Sequence, residues 1–213
     1  MMAMERRKLR KMVLGLVLGG LAGFFGSLGL LQLIDSGALG VLDRSREIAA
    51  LVGALYVICG LMVGLGLLSP KMGAQVLNVE DADELREQAA VLRYSVFGMV
   101  ALGAVLLVLA FAAPAGPIPQ TAALAIVVAL IALSWFTSWR QMRLVDELVR
   151  SMSSEGTSLA FYLLFLIGGG WSIAAHLGYL TGPAPLDWIT MFAGLLLLAV
   201  FWVAGRRGML APR

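Results

Sequence analysis

The chain has 213 residues, of which 60% are hydrophobic and only 14% charged, with a formal net charge of +3. Soluble domains carry about 25% charged residues, so this composition excludes an ordinary soluble domain and leaves no length for one beside the apolar blocks. A nucleic-acid partner is not expected either, because the Lys and Arg residues stand at the ends of apolar runs rather than on a continuous basic surface.

Each of those runs is about as long as the roughly 20 residues that cross about 30 Å of hydrocarbon. The reading is an all-α, polytopic integral membrane protein: a single helical domain over 1–213, with six transmembrane helices in three successive hairpins. The first segment, MMAMERRKLRKM, holds five basic residues and one acid, and the apolar run 12–34 that follows is longer than a signal-peptide core. It is therefore expected to be a retained span. Gly15, Gly19 and Gly23 recur every four residues, a small-residue stripe that lets another helix approach closely, and packing within the chain is its expected use.

A loop over 35–47 leads to a second span, 48–68, which carries Gly53, Gly60 and Gly64 and stops before Pro70. Gly60 and Gly64 repeat the close-packing spacing. After a connector over 70–78, Asn78 is a candidate N-cap for a helix whose first turns hold Glu80, Asp81, Asp83 and Glu84, where the helix dipole favours acids. That helix is expected to continue unbroken into the third span, 94–113. A turn containing Pro114, Gly116, Pro117 and Pro119 then returns the chain through the fourth span, 121–138.

The stretch 139–155, WRQMRLVDELVRSMSSE, is the most highly charged break between two long apolar runs. Wound as a helix at 100° per residue, it sets Arg140, Arg143, Asp146, Glu147 and Arg150 on one arc. Met142, Leu144, Val145, Leu148, Val149 and Met152 fall on the other. This is read as an amphipathic helix at a membrane surface, a candidate cytoplasmic docking element that Ser153, Ser154 and Gly156 bring to an end. The fifth span, 158–180, a turn over 181–186 with Gly182 and Pro183, and the sixth span, 188–204, complete the chain, with Arg206 and Arg207 closing it.

Orientation follows from the basic residues. With six spans and the N-terminus inside, fourteen of the sixteen Lys and Arg fall on the inner side and only Arg44 and Arg46 on the outer. Both termini are then cytoplasmic and the membrane is a cell inner or plasma membrane. The triplet Asp-Glu-Leu occurs at 83–85 and again at 146–148, each time followed by an apolar run and Gly-Pro. The common grammar of helical hairpins is the preferred explanation, and a true duplication is the alternative.

No Asp, Glu, Lys or Arg stands in the central part of any proposed span, which argues against a proton-driven pump. The three lysines lie outside the spans and the single His176 makes neither a bis-His haem site nor a multi-His zinc site; no cofactor, metal or catalytic residue is assigned. Cys59 reads as a small hydrophobe within its span. Gly168, Gly169 and Gly170, followed by Trp171 and one turn later by His176, form a candidate pocket or hinge. Bare backbone there can unwind or line a lipid-sized pocket, or simply admit a large neighbouring side chain.

The expected function is that of a non-enzymatic accessory or scaffold subunit, whose partners are membrane lipid and another membrane protein or a second copy of itself. A small carrier or channel for a neutral or lipid-like solute is the first alternative. A membrane enzyme acting on lipid, with Asp83, Glu84, Asp146 and Glu147 as its only plausible carboxylates, is the second.

Overall fold

The computed structural model describes residues 2–37, 39–69, 71, 73, 74 and 82–209, with side chains from Val13 onward except those of Leu14 and Leu16. Among these residues the chain is all-helical. The helices are α1 (Met2–Asp35), α2 (Arg44–Leu68), α3 (Ala82–Glu87), α4 (Ala89–Ala110), α5 (Gln120–Gln141), α6 (Glu147–His176) and α7 (Pro185–Arg206). All but the short α3 are long and apolar enough to cross a membrane. The proposed cap Asn78 and the acids Glu80 and Asp81 lie outside the described residues.

The six long helices form two tiers. α2, α4 and α7 pack against one another, and each carries one outer helix: α1 on α2, α5 on α4 and α6 on α7. Small residues decide which helices meet. A Cβ at Gly53 of α2 would lie 2.8 Å from the Gly103 carbonyl oxygen of α4, and one at Gly103 would lie 2.5 Å from the Gly53 oxygen. Gly60 opposes Met99 and Val100, and Gly64 opposes Val96 at 3.4 Å. Below this backbone seam, Tyr56, Leu106 and Ala193 form a buried cluster joining α2, α4 and α7. The Tyr56 hydroxyl donates to the Ala193 carbonyl at 2.7 Å, satisfying its polar end within the bundle.

Of the glycines in the first run, α2 meets α1 at Gly26, where Ile58 Cδ1 lies 2.5 Å from a notional Cβ. Gly19 and Gly23 have nothing within 4 Å of that position, and Gly15 is partly exposed. Among the described residues, then, α1 and α2 come close at Gly26 and not at Gly19 or Gly23.

Two boundaries differ from those expected. The helix entering the third span loosens at Gln88, between α3 and α4, although Gln88 N–H still donates to the Glu84 carbonyl and Leu92 N–H to that of Gln88, both at 3.0 Å. The second difference is larger: 139–155 is not one helix. α5 ends at Gln141, residues 142–146 turn, and α6 starts at Glu147. Asp146 supplies the cause, since its Oδ1 accepts the Val149 N–H at 2.8 Å and its backbone is extended (φ −72°, ψ 175°), an N-cap that starts a helix rather than continuing one. Nor do Ser153, Ser154 and Gly156 end it; α6 runs through them. Gly156 is buried against Val200 of α7 at 3.3 Å, so its missing side chain is used for packing, which outweighs its propensity cost of about 1 kcal/mol.

The Asp-Glu-Leu triplets occupy unlike places. Leu85 is fully buried against Ala74, with Leu67 and Leu92 around it, whereas Leu148 is 51% exposed.

Candidate functional site at the charged end of the bundle

The two ends of the bundle are built differently. At the end holding the Gly-Pro turns, the first turn of α2 ties three helices together. Asp43 caps α2, accepting the Arg46 N–H at 2.9 Å. The Arg46 side chain donates to the carbonyls of Ala110 and Ala112 at 3.0 and 2.6 Å, placing a cation at the C-terminus of α4, where the helix dipole favours it. Ser45 donates to Asp187 Oδ1 at 2.5 Å, while Asp187 Oδ2 accepts the Ala184 N–H at 2.7 Å and so caps α7. Ile34, Leu42, Ala49, Ala50 and Ala110 bury a common core beneath this network. The loops also touch: Gly40, at φ 92°, lies directly against the Ala115 carbonyl, a conformation and a closeness that only glycine tolerates.

The triple glycine stands in an unbroken stretch of α6. Trp188 of α7 lies on Gly168, 2.7 Å from a notional Cβ, with Met191 Cε at 3.3 Å, while Gly169 and Gly170 have open space beside them. Trp171 donates from Nε1 to the Thr181 carbonyl at 2.8 Å, holding the turn that follows, and His176 is exposed in the last turn of α6. Gly168 thus serves a ring from the next helix.

The opposite end carries most of the charge. Gln141, the last residue of α5, donates to Ser95 Oγ at 2.7 Å and to the Val91 carbonyl at 3.3 Å, fastening α5 to the start of α4. Arg207, after α7, pairs with Glu155 of α6 at 2.6 Å and reaches Ser151. The candidate docking residues are engaged locally. Arg143 lies over the Trp139 ring at 4.0 Å and Arg140 over Phe136 at 5.3 Å, while Arg150 donates to the Met142 carbonyl at 2.9 Å. Asp146 caps α6, and Glu147 is exposed in its first turn. Arg140 and Arg143 thus stack on exposed aromatic rings at the end of an apolar helix. Trp135 is 80% exposed beside them.

Between the start of α4 and the start of α6 a cleft of about 420 Å³ opens. One wall is Glu84, Glu87, Gln88 and Val91; the other is the 144–149 turn of Leu144, Val145, Asp146, Leu148 and Val149, with Met209 nearby. The folding-back of the chain at 142–146 creates this cleft, so a reading of 139–155 as one straight helix had no means of finding it. Among the described residues no three His, Cys, Asp or Glu are grouped so as to hold a metal ion. Comparison with protein-family models, with curated proteins and with solved structures gives no significant match to this chain.

Proposed function

We propose that this chain is a non-enzymatic subunit of a membrane complex, inserted as three helical hairpins with both termini cytoplasmic, and that its charged end is the surface it offers to partners. Six apolar helices support the insertion. The contacts support their alternation, since the end of α5 meets the start of α4 and the end of α7 meets the start of α6. The single observation that carries the subunit reading is the exposure of Leu144, Leu148 and Val149 beside Asp146, Glu147 and Arg150, at an end where most of the charge gathers. Apolar side chains exposed in a charged neighbourhood are what an interaction surface presents before it is covered.

Topology is checked with a reporter active only in the cytoplasm. Fusions at Ser69 and Met152 are expected to give signal and fusions at Gly116 and Gly182 to give none; signal at Gly116 breaks the six-span arrangement. The subunit role is checked by purifying the tagged chain from its host membrane in mild detergent. A second polypeptide in fixed ratio is the expected result, and it is expected to be lost on replacing Leu144 and Leu148 by Gln. The space beside Gly169 and Gly170 favours the alternative, a carrier for a neutral or lipid-like solute. Purified chain that stands alone and drives a solute flux sensitive to Gly169→Val replaces the subunit reading with that one.

A further inference from the structure

The cleft at the charged end lies at a height that fixes what can fill it. α7 has 22 residues and so is about 33 Å long, close to the roughly 30 Å of the hydrocarbon layer. Its end therefore stands near the layer's boundary, and the Arg207–Glu155 pair marks that level on α6. α6 has 30 residues, about 45 Å. It continues seven residues beyond Glu155 to Leu148, a further distance of about 10 Å at 1.5 Å per residue. The headgroup layer on each side is only about 5–8 Å deep, and an ordinary helix tilt of about 20° shortens the overhang by less than 1 Å. Leu148 and Val149 thus stand above the lipid, and their exposed surface faces water until protein covers it.

The chemistry of the lining narrows the kind of protein. Val91, Leu144, Leu148 and Val149 offer an apolar floor, and Glu84, Glu87 and Asp146 bring three carboxylates, with no Lys or Arg among the described lining residues. Among the described residues, Arg86 pairs with Asp83, Arg150 holds the Met142 carbonyl and Arg143 lies on Trp139, while Glu84 accepts from Gln88 Nε2 at 3.0 Å and Asp146 from the Val149 N–H at 2.8 Å. An apolar slot rimmed by carboxylates matches a segment in which Lys or Arg alternates with Leu-like residues. On the cytoplasmic side of a membrane, the segments flanking transmembrane helices carry an excess of Lys and Arg next to apolar spans. We infer that the cleft between α3–α4 and the start of α6 binds a basic, apolar-bearing juxtamembrane segment of a partner membrane protein. This rests on the subunit reading above, and it names the partner's chemistry and the seat it takes.

The test uses the full chain in phosphatidylcholine nanodiscs, which expose both faces and so give an answer whatever the orientation in the cell. The probe is a short helical peptide of Leu and Lys; its counterpart replaces every Lys by Glu, and empty discs report binding to lipid. Saturable one-to-one binding of the Lys peptide is expected, about tenfold or more above empty discs, with no binding of the Glu peptide. Glu87→Lys and Leu148→Gln, both at exposed positions, are each expected to weaken binding about tenfold while leaving the Tm unchanged. Equal binding to empty discs, equal binding of the Glu peptide, or indifference to both substitutions overturns the inference. The subunit reading fails separately, through the reporter fusions and the missing co-purifying polypeptide.

Discussion

Gly103→Val is expected to lower the bundle's stability by about 1–3 kcal/mol. A Cβ at this position meets the Gly53 carbonyl oxygen at 2.5 Å, Val57 Cγ2 at 2.8 Å and Tyr56 Cβ at 3.0 Å. The first of these is backbone, which cannot rotate away as a side chain does, so α2 and α4 must move apart. Separation also strains the Tyr56–Ala193 hydrogen bond, because Tyr56 lies against the same seam. Gly98→Ala is the control: it stands five residues earlier on α4 with nothing within 4 Å of its Cβ position. It should be neutral or add up to about 1 kcal/mol through helix propensity. Reversible unfolding in mixed micelles measures both. Equal stability of the two variants would remove the seam from the account of what holds α2 to α4.

Arg46→Met should cost about 2–3 kcal/mol, the range for losing hydrogen bonds made by a charged donor. Methionine keeps the apolar stem but cannot donate to Ala110 or Ala112, so the Ala110 carbonyl loses this donor and the Ala112 carbonyl keeps only the Gly116 N–H at 3.2 Å. Asp43 still caps α2, because that bond uses the Arg46 backbone N–H; helix content should therefore hold while the α2–α4 contact weakens. Arg46→Lys retains the charge and one of the two contacts and should recover part of the loss. An unchanged unfolding midpoint for Arg46→Met would show that water replaces the clamp at no cost.

Long-period features were legible in the sequence, and side-to-side relations were not. Apolar length alone located six membrane-length helices, and the Gly-Pro turns separated the third from the fourth and the fifth from the sixth, because each depends on residues adjacent in the chain. Which glycines bring helices together depends on residues far away. Gly53 and Gly103 meet across 50 positions, while among the described residues nothing lies within 4 Å of the Cβ positions of the evenly spaced Gly19 and Gly23, though their pattern is the more regular. The break at 142–146 was within reach: Asp146 precedes Glu147 and can cap α6, but the arcs drawn over 139–155 hid the cap inside a continuous wheel. Arg46 could not be assigned from sequence, since it bonds to backbone carbonyls, which every residue has.

The backbone contact between α2 and α4 bears on how these two helices can move. At Gly53 and Gly103 each Cβ position lies within 3 Å of the other residue's carbonyl oxygen, and Tyr56, Leu106 and Ala193 form a buried cluster joining the pair to α7. Neither helix can turn about its own axis there without driving a side-chain-bearing face into the other's backbone. The pair is expected to shift as one rigid body.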